Sequence, residues 1–137
     1  SGCDPRLRTR NGETALHAAA LQSEPGFVGV LLDAGAEPNV LNLDGETPLA
    51  WAAMTGNLRT AELLIERGSI VRAADVRGNT PLHGAAAMGY PELVALLLKH
   101  KADPDGVNGE GKTAADLARD RGEVDALKVL EAASRRR

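Results

Sequence analysis

The feature that most constrains this chain is a sequence pattern that returns every 33 residues. A threonine-led string recurs with its first residue at positions 14, 47, 80 and 113, and a glycine precedes each threonine by two residues. The four strings are Thr14-Ala-Leu-His-Ala-Ala, Thr47-Pro-Leu-Ala-Trp-Ala, Thr80-Pro-Leu-His-Gly-Ala and Thr113-Ala-Ala-Asp-Leu-Ala. A fixed period of this length indicates stacked supersecondary units, each of which buries its apolar face against its neighbours.

Each period predicts two short helices and an extended loop. The threonine can cap a helix with its hydroxyl, and proline at the first helical position loses no hydrogen bond. Glycine tolerates the left-handed backbone that ends many helices, so the first helices should end near Gly56, Gly89 and Gly122, with Ser23 at that point in the first period. Pro25 and Pro91 open two of the second helices. The apolar residues of these second helices fall at helical spacing: Val28, Leu31 and Leu32, then Ala61, Leu64 and Ile65, then Val94, Leu97 and Leu98.

The period, the Thr-Pro-Leu-His-x-Ala string and the turn Gly35-Ala-Glu-Pro-Asn39 resemble the ankyrin repeat. The resemblance implies an all-α solenoid of stacked helix–turn–helix pairs, with β-turn loops that project like fingers. It also implies protein–protein recognition through the fingers and the concave face of the first helices. Departures from the pattern are local: Ala50 and Asp116 replace the motif histidine, and Lys101 replaces a turn glycine.

We therefore expect one domain over residues 1–137. Its repeats one to four cover approximately 9–41, 42–74, 75–107 and 108–137, and residues 1–8 are the remnant of a preceding repeat. The C-terminal repeat should be a cap of the array, because Glu131 occupies the position held by Leu32, Ile65 and Leu98 in the others.

Composition narrows the function classes. The net charge of −3, with both signs scattered, provides no basic footprint for nucleic acid, and we expect the Arg135-Arg136-Arg137 run to be a solvated tail. No apolar run approaches a membrane span and no signal-peptide pattern opens the chain. A single cysteine, Cys3, is compatible with a reducing compartment, so the expected location is intracellular, cytoplasmic or nuclear.

Residues that could carry chemistry have simpler explanations. His17 and His83 lie two repeats apart, too far to share a metal ion, and the resemblance implies that each bridges loop and helix backbone. Asp116 and Asp120, at helical spacing, fit a solvated face better than a paired-carboxylate site. Gly111-Lys112-Thr113 matches the end of a phosphate-binding loop, but the period already explains its glycine and threonine. We expect no enzyme and no cofactor.

Three function classes remain open: a module that binds one protein or peptide, a non-catalytic regulatory segment of a larger enzyme, channel or transcription regulator, and a structural spacer or self-associating array. The first is favoured, and we expect the chain to be monomeric. Large apolar residues on an exposed face mark interaction sites, and methionine adapts to varied partners. The predicted binding residues lie on the concave face and fingers of repeats two and three, with Trp51 as anchor: Leu43, Asp44, Glu46, Trp51, Met54, Thr55, Val76, Arg77 and Met88.

Overall fold

A computed structural model describes residues 10, 12–21 and 26–135 of the chain. Within these residues the backbone forms eight helices and no strand, which confirms the all-α prediction. The expected remnant at 1–8, and the expectations for Ser23 and Pro25, lie outside the described residues. The helices are α1 (Ala15–Ala20), α2 (Gly26–Asp33), α3 (Pro48–Thr55), α4 (Leu58–Glu66), α5 (Pro81–Met88), α6 (Pro91–Lys99), α7 (Ala114–Asp120) and α8 (Val124–Arg135).

The repeated threonine begins the first helix of a repeat as predicted. In α3 the Thr47 hydroxyl accepts a hydrogen bond from the Ala50 N–H at 3.1 Å, and in α7 the Thr113 hydroxyl accepts one from Asp116 N–H at the same distance. Both α3 and α5 have proline at the start and end at a left-handed glycine, Gly56 or Gly89. Helix α7 ends earlier, at Asp120, two residues before Gly122. The local sequence therefore fixes both ends of the two central first helices.

The helices stack in two layers. The odd-numbered helices contact one another in an inner layer, and the even-numbered helices form an outer layer that covers one side of it. Small residues line the contacts of the inner layer, where Ala52 and Ala53 of α3, and Ala85 and Ala86 of α5, are fully buried. Leu64 and Leu97 of the outer helices fill the space between the layers. Alanine at these positions lets neighbouring helices approach closely, which explains a core with almost no aromatic residues.

Fingers connect each outer helix to the next inner helix. Each finger closes with a backbone hydrogen bond across five residues, from Asn42 N–H to Glu46 C=O at 3.1 Å in the first that is described in full. The equivalent fingers are 75–79 and 108–112. Neighbouring tips are joined in turn, because Val76 N–H donates to Asp44 C=O at 3.0 Å and Gly109 N–H donates to Arg77 C=O at 2.8 Å. The row of fingers and the inner helices meet at an angle and enclose the candidate site.

Candidate functional site on the concave face

The predicted inner-helix residues lie on the side of the stack that faces the fingers. Met54 is 37% exposed and Met88 46% exposed, although both belong to helices whose opposite faces are fully buried. Thr55 is also exposed, and its hydroxyl donates back to the Trp51 carbonyl at 3.0 Å. Two flexible thioether side chains are therefore available at this surface for contact with a partner.

Trp51 is half-buried and already engaged within the chain. Its indole N–H donates to the Glu46 carboxylate at 2.9 Å, and its ring meets the His17 ring edge-on with centroids 5.2 Å apart. Asn42 also donates to the same Glu46 oxygen, at 2.9 Å. The tryptophan therefore links repeat one to the finger of repeat two and fixes the Glu46 side chain. Only part of the Trp51 ring is therefore exposed, whereas the sequence suggested that the whole side chain was available to a partner.

The finger residues are displayed as the sequence predicted, with an apolar residue beside a charged one. Leu43 and Val76 are each 72% exposed, and they are followed by Asp44 and Arg77, whose side chains are exposed as well. The finger geometry is held by the residue before the tip: the Asp75 carboxylate accepts from Arg77 N–H at 2.9 Å and from Asn79 N–H at 3.0 Å. Asp75 is therefore a structural residue, whereas the Arg77 side chain is exposed at the tip.

The fingers and inner helices of repeats two to four enclose a cavity of about 320 Å³, here called the concave groove. Four predicted residues line it: Glu46, Met54, Arg77 and Met88. The other predicted residues are not among its lining: Leu43, Asp44, Trp51, Thr55 and Val76. The lining residues outside the predicted set are Ala50, Asp75, Asn79, Thr80, His83, Gly84, Ala87, Asn108, Glu110, Leu117 and Arg121.

The groove owes its depth to small side chains in its floor. A methyl group added at Gly84 would lie 3.1 Å from Met54 Cγ, so the glycine is what leaves room for that methionine. Leu117 of α7 and Arg121, the residue after that helix, close the other end. Each is the repeat equivalent of a predicted residue, because Leu117 lies two periods after Trp51 and Arg121 lies one period after Met88. Extending the predicted set into repeat four would have identified both residues.

The concave groove has charged side chains of both signs, and only some of them are already hydrogen-bonded within the chain. Glu46 is held by the hydrogen bonds described above, while Glu110, Arg77 and Arg121 are exposed. Among the described residues, none of these three forms an ion pair. Two guanidinium groups and one carboxylate are thus free to select a ligand by charge.

The histidines have the bridging role that the resemblance implied. His83 Nδ1 accepts from the Thr80 N–H at 3.2 Å, and its Nε2 lies 3.0 Å from the Lys112 carbonyl in the next finger. His17 repeats the arrangement, with Nε2 2.7 Å from the Glu46 carbonyl. A neutral ring that carries its proton on Nε2 satisfies both partners. Across the described residues, no three His, Cys, Asp or Glu side chains converge on a point that could hold a metal ion.

The acidic residues of α7 are also structural. Asp116 accepts from the Thr113 N–H at 3.0 Å, and this hydrogen bond lowers the pKa of its carboxyl, with further help from Arg119 at 3.1 Å. Asp120 instead pairs with Lys112 at 2.7 Å, a hydrogen bond that raises the pKa of the Lys112 ammonium. The two carboxylates have separate partners and do not form a general acid–base pair.

Residues 106–113 fit the full Gly-x4-Gly-Lys-Thr spacing of a phosphate-binding loop, since Gly106 provides the first glycine. Such a loop needs backbone N–H groups that point at the phosphates. Here the N–H groups of residues 108 to 113 are all donated within the chain: to Lys112 C=O, Arg77 C=O, Asn108 Oδ1, Asn108 C=O, again Asn108 Oδ1, and Asp116 Oδ2 in order. The motif therefore builds a finger rather than a nucleotide site.

Comparison with known families agrees with this architecture. The family model described as ankyrin repeats (3 copies) matches residues 1–75, 23–108 and 69–134, which together cover almost the whole chain. The chain belongs to the ankyrin repeat family, whose members are in general protein–protein interaction modules and typically not catalysts. A search of curated proteins finds no match. None of the helices that the structure describes has the length and apolarity needed to cross a membrane.

Proposed function

We propose that this chain is an adaptor or regulatory scaffold that binds one protein or peptide along the concave groove and the adjoining fingers. The observation that carries the proposal is the pair of exposed methionines over a floor of small residues, flanked by free charges. Apolar residues in a groove provide buried contact area, and the surrounding charges orient the partner. In this proposal the partner contacts Glu46, Met54, Arg77 and Met88, which line the groove, and also the other predicted residues beside it, with the exposed part of Trp51 as the anchor. The other predicted residues are Leu43, Asp44, Thr55 and Val76.

The proposal also covers the kind of partner, the oligomeric state and the location of the protein. Mixed charges favour a protein partner over nucleic acid, and we expect a monomer in an intracellular, cytoplasmic or nuclear setting without catalytic activity or a cofactor. The alternative is a non-catalytic regulatory segment of a larger enzyme, channel or transcription regulator. The two differ in what else the full-length protein carries and share the same binding surface.

The test is to select peptides from a random phage-displayed library against the wild-type chain and to measure their affinity for variants. Met54→Ala and Met88→Ala remove exposed side chains without touching the core, and we expect a loss of about 2 kcal/mol for an anchor contact. Trp51→Ala should lose at least as much. Its result must be compared with Trp51→Phe, which keeps the ring but removes the hydrogen bond to Glu46.

Matched controls lie on the outer helix of the same repeat. Arg59 and Glu62 of α4 are exposed and line none of the concave groove, so Arg59→Ala and Glu62→Ala should leave affinity unchanged. Circular dichroism would show that all variants remain folded. If the selected peptides bind the methionine and tryptophan variants like the parent, but lose affinity for the α4 variants, the partner uses the outer side and the proposal fails.

A further inference from the structure

The last outer helix is longer than the others. Helices α2, α4 and α6 end at Asp33, Glu66 and Lys99, which are spaced by 33 residues. The next equivalent position is Ala132, yet α8 continues to Arg135. Residues that would form the turn after the helix in other repeats, such as Ala133, are helical here. The additional turn of α8 extends alongside α6 and the loop that follows it.

A second groove lies on the outer layer rather than beside the fingers, and Ala133 of this extension is part of its lining. A cavity of about 680 Å³ lies between α6 and α8, and an adjoining cavity of about 320 Å³ lies over the loop after α6. The two share Leu98 and Ala133, so they form one continuous depression, here called the outer groove. Its walls are mainly apolar, with Ala95, Leu98, Val129, Ala132, Ala102 and Pro104.

Three cations border the outer groove. Lys99 and Lys101 are exposed, and within the described part of the chain neither forms an ion pair. Arg72 Nε donates to the Lys101 carbonyl at 2.6 Å, which holds the guanidinium beside the two lysines. Asp103 also lines the groove, but its carboxylate accepts from the Asp105 N–H at 3.0 Å within its own loop. The rim is therefore positively charged in a chain whose net charge is −3.

We propose that the outer groove binds an acidic amphipathic segment of a partner protein. Its apolar side chains would contact Leu98, Val129 and Ala132, and its carboxylates would pair with Lys99, Lys101 and Arg72. Charge complementarity selects the acidic partner, and the recessed floor selects a ridge of side chains such as one face of a helix. A flat bilayer surface could reach the cations but not the apolar floor. This surface is separate from the concave groove, so the chain presents two binding surfaces on opposite layers.

The probe is a fluorescein-labelled 18-residue peptide of Glu, Leu and Ala with its glutamates on one helical face, compared with the same peptide carrying Lys for Glu. Fluorescence anisotropy should show binding of the acidic peptide alone, with an affinity that falls as salt increases. In a sample labelled with ¹³C at methyl groups, the peptide should shift the signals of Leu98, Val129 and Ala132.

Two variants test the charge and the shape of the outer groove separately. Lys99→Glu combined with Lys101→Glu should weaken the acidic peptide about tenfold or more, because two attractive pairs become repulsive. Ala132→Gln fills the floor without changing charge and should weaken binding severalfold. Lys128→Glu is the matched control, since Lys128 is exposed on α8 and lines neither cavity. Its affinity should stay within twofold of the parent, and circular dichroism should show that every variant folds.

Other outcomes would overturn the proposal. Failure of the acidic peptide to bind would do so, as would binding that is lost in Arg77→Glu or Met88→Ala but kept in the lysine variants, which would place the peptide in the concave groove. Binding to vesicles of phosphatidylserine and phosphatidylcholine without binding to the peptide would identify a lipid surface. Self-association in sedimentation experiments that disappears in the lysine variants would identify a second copy as the occupant. The proposal for the concave groove is tested separately, by its own variants.

Discussion

The third residue of the inner helices is histidine in two repeats, aspartate in one and alanine in one. His17 and His83 accept the N–H of the capping threonine and also reach the carbonyl of the next finger. Asp116 accepts the threonine N–H with one oxygen and the Arg119 guanidinium with the other, whereas Ala50 has no polar side-chain atom and lines the concave groove. The histidine bridge followed from the resemblance, whereas the capping role of Asp116 did not, because helical spacing to Asp120 suggested only a solvated face. Hydrogen bonds of this kind depend on side-chain direction, which spacing does not reveal.

Two buried hydroxyls, Thr60 Oγ1 and Ser69 Oγ, have no hydrogen-bond partner among the residues that the structure describes. Thr60 is fully buried where α6 and α8 have Leu93 and Ala126, and Ser69 stands where other repeats have Ala36 and Ala102. A buried polar group that lacks a partner is destabilising. Thr60→Val and Ser69→Ala should therefore each increase the free energy of unfolding by about 1 kcal/mol.

Urea denaturation monitored by circular dichroism would measure both changes. Thr55→Val is the control, because the Thr55 hydroxyl is exposed and already bonded to backbone carbonyls, so its loss should change stability by less than about 0.5 kcal/mol. A lower denaturation midpoint for Thr60→Val would mean that its hydroxyl has a partner after all.

Among the outer helices, residues at equivalent repeat positions differ in how deeply they are buried. Phe27 of α2 is 53% exposed, whereas its repeat equivalents Thr60, Leu93 and Ala126 are almost fully buried. Leu93→Ala should lower the free energy of unfolding by about 2–5 kcal/mol, the range for a buried leucine, whereas Phe27→Ala should cost less than about 1 kcal/mol. Chemical denaturation of both variants would compare them directly. Equal losses would show that Phe27 is covered in solution.

Helix ends were predictable where the local sequence determines them. Threonine, proline and glycine set the bounds of α3 and α5 as expected. Gly122 is left-handed and lies near the end of α7 as expected, although the helix ends two residues before it. The length of α8 was not predictable in the same way, because no glycine or proline occurs after Val124. Arg121 caps α7 with its own backbone, and the alanines after Glu131 favour continuation of α8. Ala133, which lines both cavities of the outer groove, is helical because of that continuation, and the period alone did not predict it.

For the whole molecule, the period was sufficient to predict the stacked all-α architecture, because one unit's contacts are repeated in every neighbour. The binding surface was less accessible to the same reasoning. The sequence located Met54, Met88 and Arg77 on one face, but the groove extends to Leu117 and Arg121, and Trp51 is turned toward Glu46 and His17. Whether a large side chain faces a partner or a neighbour depends on distances of a few ångströms, which the period does not contain.

Hydrogen bonds between neighbouring repeats span about one period. His17 and Glu46, Arg72 and Lys101, and His83 and Lys112 are each 29 residues apart. Val76 and Asp44 are 32 residues apart, as are Gly109 and Arg77. Each of these bonds joins adjacent repeats, so tension applied between the two ends meets a series of similar links. Force spectroscopy should show a sawtooth in which each 33-residue repeat releases about 110 Å of contour length as it unravels. A single rupture that frees the whole chain at once would show that the links break together.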